Sequence, residues 1–102
     1  MDKRVYHAVS NRAGGYCENC HSYQGDGLEL HHILRRKINA TKENCIMLCQ
    51  ECHRGTAGIH GRDGHELDLR LKLKVQRKYF KEGYDEDEVR ELMNGRLYIR
   101  GI

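Results

Sequence analysis

Cys17-Glu-Asn-Cys20 and Cys49-Gln-Glu-Cys52 stand on either side of a double histidine, His31-His32, and the second pair runs directly into His53. A tight turn with this spacing aims two thiolates at one tetrahedral zinc, and four thiolates fill its shell and leave no open position. The pattern therefore predicts a structural Zn2+ held by Cys17, Cys20, Cys49 and Cys52. Such an ion pins both ends of the segment that carries His31, His32, Asn44 and His53. Chemistry is expected on that segment.

A chain of 102 residues has room for one domain, and a bound metal contributes materially to folding at this size. The core is expected to be thin, with 38% hydrophobic residues, no Trp and one Phe. Five cysteines, four of them in Cys-x-x-Cys pairs, and no apolar run at the N-terminus point to reduced, metal-binding thiols in a cytosolic protein. No apolar stretch is long enough to span a bilayer. Cys45, inside Cys45-Ile46-Met47-Leu48, is expected to be a small core residue, not a fifth ligand.

The net charge of +3 is a weak pointer to a polyanionic partner, but its distribution says more. Acids gather at Glu82, Asp85, Glu86, Asp87, Glu88 and Glu91, whereas Arg35-Arg36-Lys37 follows the histidine pair and Arg54 and Arg62 flank later histidines. A basic site with an acidic far end suits a small nucleic-acid binder, although a solvated charged surface gives the same pattern.

Residues 2–13 read as a helix ended by Gly14-Gly15, with Val5 and Val9 one turn apart. The stretches 28–34 and 44–48 read as strands joined by a polar loop, and the second cysteine pair is expected to open a short helix through His53. Residues 55–64 hold four glycines and must be a loop. Leu67, Leu69, Leu71, Leu73 and Val75 alternate with polar residues as in a strand, yet the residues are not β-branched and the run continues to Phe80, so a helix is expected. Its apolar positions split into Leu67/Leu71/Val75/Tyr79 and Leu69/Leu73/Phe80. A last helix, opened by an Asp85/Glu88 capping box, carries Val89, Leu92 and Met93 and is expected to cover the second stripe, unless a dimer does so.

Adjacent strand histidines face opposite ways, so His31 and His32 suit different jobs: His31 as ligand of a catalytic metal, His32 as a base that takes a proton from water. His53 is placed to give a second imidazole to the same ion. So few protein ligands leave open positions, as a catalytic metal needs.

His31-His32-Ile33, a spaced Asn44, and the run Leu48-Cys49-Gln50-Glu51-Cys52-His53 resemble the HNH nucleases in their cysteine-bearing form, over about residues 16–53. The segment around His60 and the tail from Tyr79 to Tyr98 are similar to small phage and prophage HNH proteins. The resemblance implies an α+β fold: a ββα-metal core (about 16–60) with a structural zinc, flanked by an N-terminal helix and a C-terminal helical extension (about 64–102), in a single domain. It implies a DNA endonuclease in which His31 and His53 bind a divalent ion (Mg2+, Mn2+ or another transition metal), His32 is the general base, and Asn44 braces the backbone that orients His32. Arg35, Arg36, Lys37 and Arg54 become phosphate contacts. A cytoplasmic setting in a bacterial host and phage packaging proteins as partners are implied as well.

The chain departs from the family pattern at two places. A proline common after the histidine pair is replaced by the stretch 34–37, and a histidine common one turn after His53 is replaced by Ala57, with His60 following beyond a glycine break. The last metal ligand is thus expected to be His53, with His60 as the alternative. A zinc ribbon that binds nucleic acid or protein without catalysis is the competing class; it has no need of the histidine pair and Asn44. His7, His21 and His65 are expected on the surface.

Overall fold

The computed structural model describes residues 3–34 and 41–98. Helix α1 (Lys3–Ala13) is followed by a short 3-10 turn (Gly25–Gly27), strands β1 (Glu29–His32) and β2 (Cys45–Leu48), and helices α2 (Gln50–Arg54), α3 (His65–Lys81) and α4 (Glu86–Leu92). The strands form an antiparallel hairpin in which Glu29 faces Leu48, His31 faces Ile46 and His32 faces Cys45. This is the α+β arrangement expected: a two-stranded hairpin, a helix after it, a four-cysteine cluster, and helices at either end.

All four residues of β2 are buried because the hairpin is covered on both faces. Alternation sends Cys45 and Met47 to one side, where they pack with Val9 and Ala13 of α1, and Ile46 and Leu48 to the other, where they meet α3. Cys45 is 1% exposed in this smaller cluster, the core position expected for it. Arg12 ties the layers together: its guanidinium donates to both Glu18 carboxylate oxygens at 2.6 and 2.8 Å and to the carbonyls of Lys42 and Cys45, each at 2.7 Å. Gly14 and Gly15 end α1 with φ of +60° and +86°, a turn that a residue with a Cβ resists.

The alternating segment is helical, as read from its residue types. Leu67, Leu71, Val75 and Tyr79 of α3 are buried in the main cluster with Cys17, Ile33, Leu34, Ile46, Leu48 and Cys49. One expectation is corrected. Val89 and Met93 of α4 join this first stripe and do not cover the second. The reversal at Gly83 (φ +99°) and the Asp85–Glu88 capping box fold α4 back toward the Tyr79 end of α3, where Tyr79 and Tyr84 meet edge to face. Leu69 and Leu73 of the second stripe line an open groove of about 840 Å³, and Phe80 is 42% exposed. No described helix is long and apolar enough to cross a membrane.

Candidate metal centres and their neighbourhood

The first cysteine pair sits in a knuckle closed by Cys17 N–H to the Ser22 carbonyl (2.9 Å) and His21 N–H to the Cys17 carbonyl (2.9 Å), with His21 at φ +67°. The second lies at the start of α2, where the Cys49 thiol accepts from Cys52 N–H at 3.4 Å as the helix cap. The ligand sulfurs of Cys17, Cys20, Cys49 and Cys52 all lie within 4.8 Å of one another, with Cys20 and Cys49 3.7 Å apart. Tetrahedral bonds of about 2.3 Å place sulfurs about 3.8 Å apart, so the cluster fits zinc. Backbone N–H groups of Asn19 and Cys20 point at the Cys17 sulfur, and Asn19 Nδ2 donates to the Cys52 sulfur at 3.3 Å. The Ser22 hydroxyl and backbone hold the Cys20 thiol down to about 6, while burial pushes Cys52 up to about 12.

Three histidines meet beside this cluster. His31 comes from β1, His53 from α2 and His60 from the loop beyond, and one ring nitrogen of each lies within 4.8 Å of the others. Ring centroids are 5.3 Å (His31–His53), 5.1 Å (His31–His60) and 4.8 Å (His53–His60) apart. His31 is buried, and its Nε2 has no hydrogen-bond partner among the described residues. Burial, reinforced by His53 and His60, pushes its pKa down to about 4, so the ring is neutral and able to ligate at neutral pH. A buried nitrogen of this kind facing two more imidazoles is a set of donors that could hold a divalent transition metal. His53 and His60 thus reach the same place together, where one of the two was expected.

The glycine-rich loop explains how. Gly55, Gly58, Gly61 and Gly64 recur every third residue, and each amide donates to the carbonyl of the preceding glycine of the series at 2.8 to 3.2 Å, except that Gly55 donates to Glu51. The resulting turns lie against α2: Ile59 N–H bonds the Cys52 carbonyl at 2.8 Å and His60 N–H bonds the His53 carbonyl at 2.9 Å. His60 is thereby hung beside His53. A Cβ on Gly61 would lie 1.8 Å from the Gly55 carbonyl oxygen, so this approach requires glycine.

His32 follows His31 on the strand and is exposed where His31 is buried, the opposite facing that alternation requires. Beyond it, Asn44, 1% exposed, locks the open end of the hairpin: Leu34 N–H donates to Asn44 Oδ1 at 2.6 Å, Asn44 Nδ2 donates to the Leu34 carbonyl at 3.3 Å, and Ile33 N–H donates to the Asn44 carbonyl at 2.7 Å. The backbone leaving His32 is thus held by the main chain and side chain of Asn44.

Glu29 was not among the expected site residues. Its Oε1 accepts from His53 Nδ1 at 2.6 Å, and its two oxygens take Arg54 Nε (3.2 Å) and Nη2 (2.5 Å). An ionised carboxylate only accepts, so the proton sits on Nδ1 and the His53 Nε2 lone pair is left for a metal. His53, then Arg54, hold the Glu29 pKa below its ordinary value. The signal was available, since Glu29 is two residues before His31 and on the same strand face. Arg54, expected at a phosphate, is bound to this carboxylate while 56% of its side chain stays exposed. Arg35, Arg36 and Lys37 lie outside the described residues. His7, His21 and His65 are exposed, as expected.

A hairpin carrying a histidine pair, a bracing asparagine and a short helix bearing the next histidine define a metal-site domain of a known class. Residues 17–56 match the family model described as HNH endonuclease, and this segment is an HNH endonuclease domain. The chain is also similar to the type IV methyl-directed restriction enzyme EcoKMcrA of Escherichia coli (strain K12), 36% identical over 62 residues, covering 52% of this chain and 22% of that enzyme. The chain thus spans about a fifth of the length of the curated relative it matches. No solved structure matches significantly.

Proposed function

We propose that the protein is a metal-dependent DNA endonuclease that hydrolyses phosphodiester bonds in a single domain, with His32 as general base and His31, His53 and His60 as ligands of one divalent ion. The observation that carries this reading is the meeting of three imidazoles around the buried His31 nitrogen, which has no partner among the described residues. A zinc ribbon needs no such set. The single-domain reading is supported by α3 and α4 sharing a core with the hairpin and the cysteine cluster.

The bound ion, Mg2+, Mn2+ or another transition metal, supplies positive charge to the scissile phosphate and to the departing oxygen. His32, exposed beside the site, takes a proton from water as the water oxygen forms its bond to phosphorus in line with the breaking P–O3′ bond. The 3′ oxygen leaves and gains a proton, giving 5′-phosphate and 3′-hydroxyl ends. Asn44 fixes the strand end that carries His32, and Glu29 fixes the ring of His53. The four cysteines keep Zn2+ out of the reaction and hold the scaffold. Arg54, and with it the stretch Arg35-Arg36-Lys37, are phosphate contacts in this reading.

Methyl direction belongs to the relative and is not carried over with a fifth of its length. A phage or prophage origin, a cytoplasmic setting and partners in a packaging assembly are implied by the resemblance alone.

The test is supercoiled plasmid incubated with purified protein and a panel of divalent ions. The parent is expected to nick or linearise it, and His32→Ala to lose about a hundredfold or more of the rate while keeping its zinc and its DNA affinity. Cleavage by His32→Ala at the parent's rate would remove His32 as the base. A parent inert with every ion would leave a binding module.

A further inference from the structure

Helix α3 carries a second charged surface away from the histidines. Arg70, Lys74, Arg77 and Lys81 follow one another at helical spacing on one exposed face, and Lys78 lies half-buried beside them. Among the described residues none of the four exposed cations forms an ion pair, whereas Lys72, on another face, is paired with Asp68 at 2.8 Å. Arg70, Lys74 and Arg77 border the open groove that also holds Leu69 and Leu73. Of the acids in that groove, Glu18 is already held by Arg12 at 2.6 Å. The other, Glu66, sits at the first turn of α3. Lys78 has its pKa pushed down by burial and then by the charges of Arg12 and Lys74, a crowding of cations that a bound anion relieves.

The face is joined to the metal centres. Arg70 Nη2 donates to Asn19 Oδ1 at 3.0 Å, Asn19 Nδ2 donates to the Cys52 sulfur, and Cys52 precedes His53. From Arg70 to Lys81 the helix rises about 16 Å at about 1.5 Å per residue. Duplex DNA carries one charge per about 1.7 Å of axis, so a row of this length lies alongside several phosphates. The acidic residues of α4 (Glu86, Asp87, Glu88 and Glu91) lie beyond the reversal at Gly83.

We propose that the Arg70/Lys74/Arg77/Lys81 face of α3 is a DNA-backbone contact surface separate from the metal site, which holds the duplex while the histidine centre acts on it. The proposal rests on the reading of the protein as a DNA-cutting enzyme. It assigns to α3 an anchoring role, in which a row of cations positions the duplex through its phosphates.

The experiment compares the parent with a triple variant, Lys74→Ala, Arg77→Ala and Lys81→Ala, and with a control triple, Lys3→Ala, Lys42→Ala and Arg96→Ala, which removes the same charge from exposed positions elsewhere. Binding to a labelled mixed-sequence 20-base-pair duplex is measured across a salt series without added divalent ion. The α3 triple is expected to bind at least tenfold more weakly at about 0.1 M salt, with a log–log salt slope shallower by about 2.7, since each of three lost phosphate contacts contributes about 0.9. The control is expected to change less than twofold.

Cleavage of bis(p-nitrophenyl) phosphate with Mn2+ is expected to be equal in parent and α3 triple, because that small diester does not reach α3. A parent that binds DNA but cuts neither plasmid nor the small diester would overturn the nuclease reading, and the binding comparison would still decide the face. Unchanged affinity and slope in the α3 triple overturn the proposal, as does an equal fall in the control. A change in sedimentation of the α3 triple with DNA affinity intact overturns it in favour of an interface between copies of this chain.

Discussion

At the scale of single residues, His31 shows how a fold prepares a ligand. A buried imidazole with no hydrogen-bond partner at Nε2 is costly unless something takes its lone pair, and the ring is kept from taking a proton instead. Burial, then His53 and His60, lower its pKa from 6.5 to about 4. Because the folded pKa is below the unfolded one, the unfolded chain binds the extra proton between these values, so stability rises with pH across that window. With the histidine site free of divalent ion, the protein is expected to be most stable above about pH 6.5 and to lose stability progressively toward pH 4. The part due to His31 is at most about 2 kcal/mol between pH 7 and pH 5. Urea midpoints of parent and His31→Gln at both pH values check this: the pH-dependent gap between them is expected to close in the variant's favour as pH falls. A gap independent of pH would mean that His31 titrates normally.

At the scale of elements, the loop between α2 and α3 fixes the third histidine. Its turns stack closely because Gly58 and Gly61 lack a Cβ: at Gly58 the added atom would meet the α2 carbonyl oxygens of Glu51 at 2.5 Å and Cys52 at 2.7 Å, and at Gly61 those of Gly55 at 1.8 Å and Thr56 at 2.5 Å, where the loop leaves α2. Gly61→Ala is therefore expected to push the loop off α2, lower stability by about 1–3 kcal/mol, and weaken divalent-ion binding as His60 leaves the site. Calorimetric titration with Mn2+ and a thermal melt measure the two effects. Intact ion binding in the variant would show that His60 is dispensable. This loop also marks the limit of what the residues alone disclose. The cysteine spacing, the alternation through His31-His32 and the Asp85 cap are local rules, and they predicted the hairpin, the clusters and the α4 start. Glycine content announced a loop, but its period of three and its docking on α2 depend on contacts with Cys52 and His53 that no local rule gives. The path of α4 escaped for the same reason, since both stripes of α3 offered it an apolar face and the turn at Gly83 decided between them.

At the scale of the whole molecule, the four-cysteine cluster joins what secondary structure leaves separate. Cys17 and Cys49 are themselves members of the main core, with the hairpin residues Ile46 and Leu48 and the α3 stripe around them, while Cys20 and Cys52 lie toward the surface. A two-stranded hairpin is marginal by itself, and α2 has five residues, too few to persist without support. Zinc in such a shell contributes on the order of 10–16 kcal/mol, comparable with or larger than the whole stability of a small domain. Removal of zinc is therefore expected to abolish the cooperative thermal transition and divalent-ion binding at the histidines together. Cys17→Ser is expected to purify without zinc and to melt without a sharp transition. Cys45→Ser, altered in the separate cluster with Val9, Ala13 and Met47, is expected to keep one zinc and a cooperative melt at lower temperature. Zinc content by colorimetric release, read with the melts, distinguishes the two variants. If chelator-treated protein keeps the parent's transition, the cluster is not what holds the hairpin to α2 and α3, and the histidine site must be positioned by the apolar core alone.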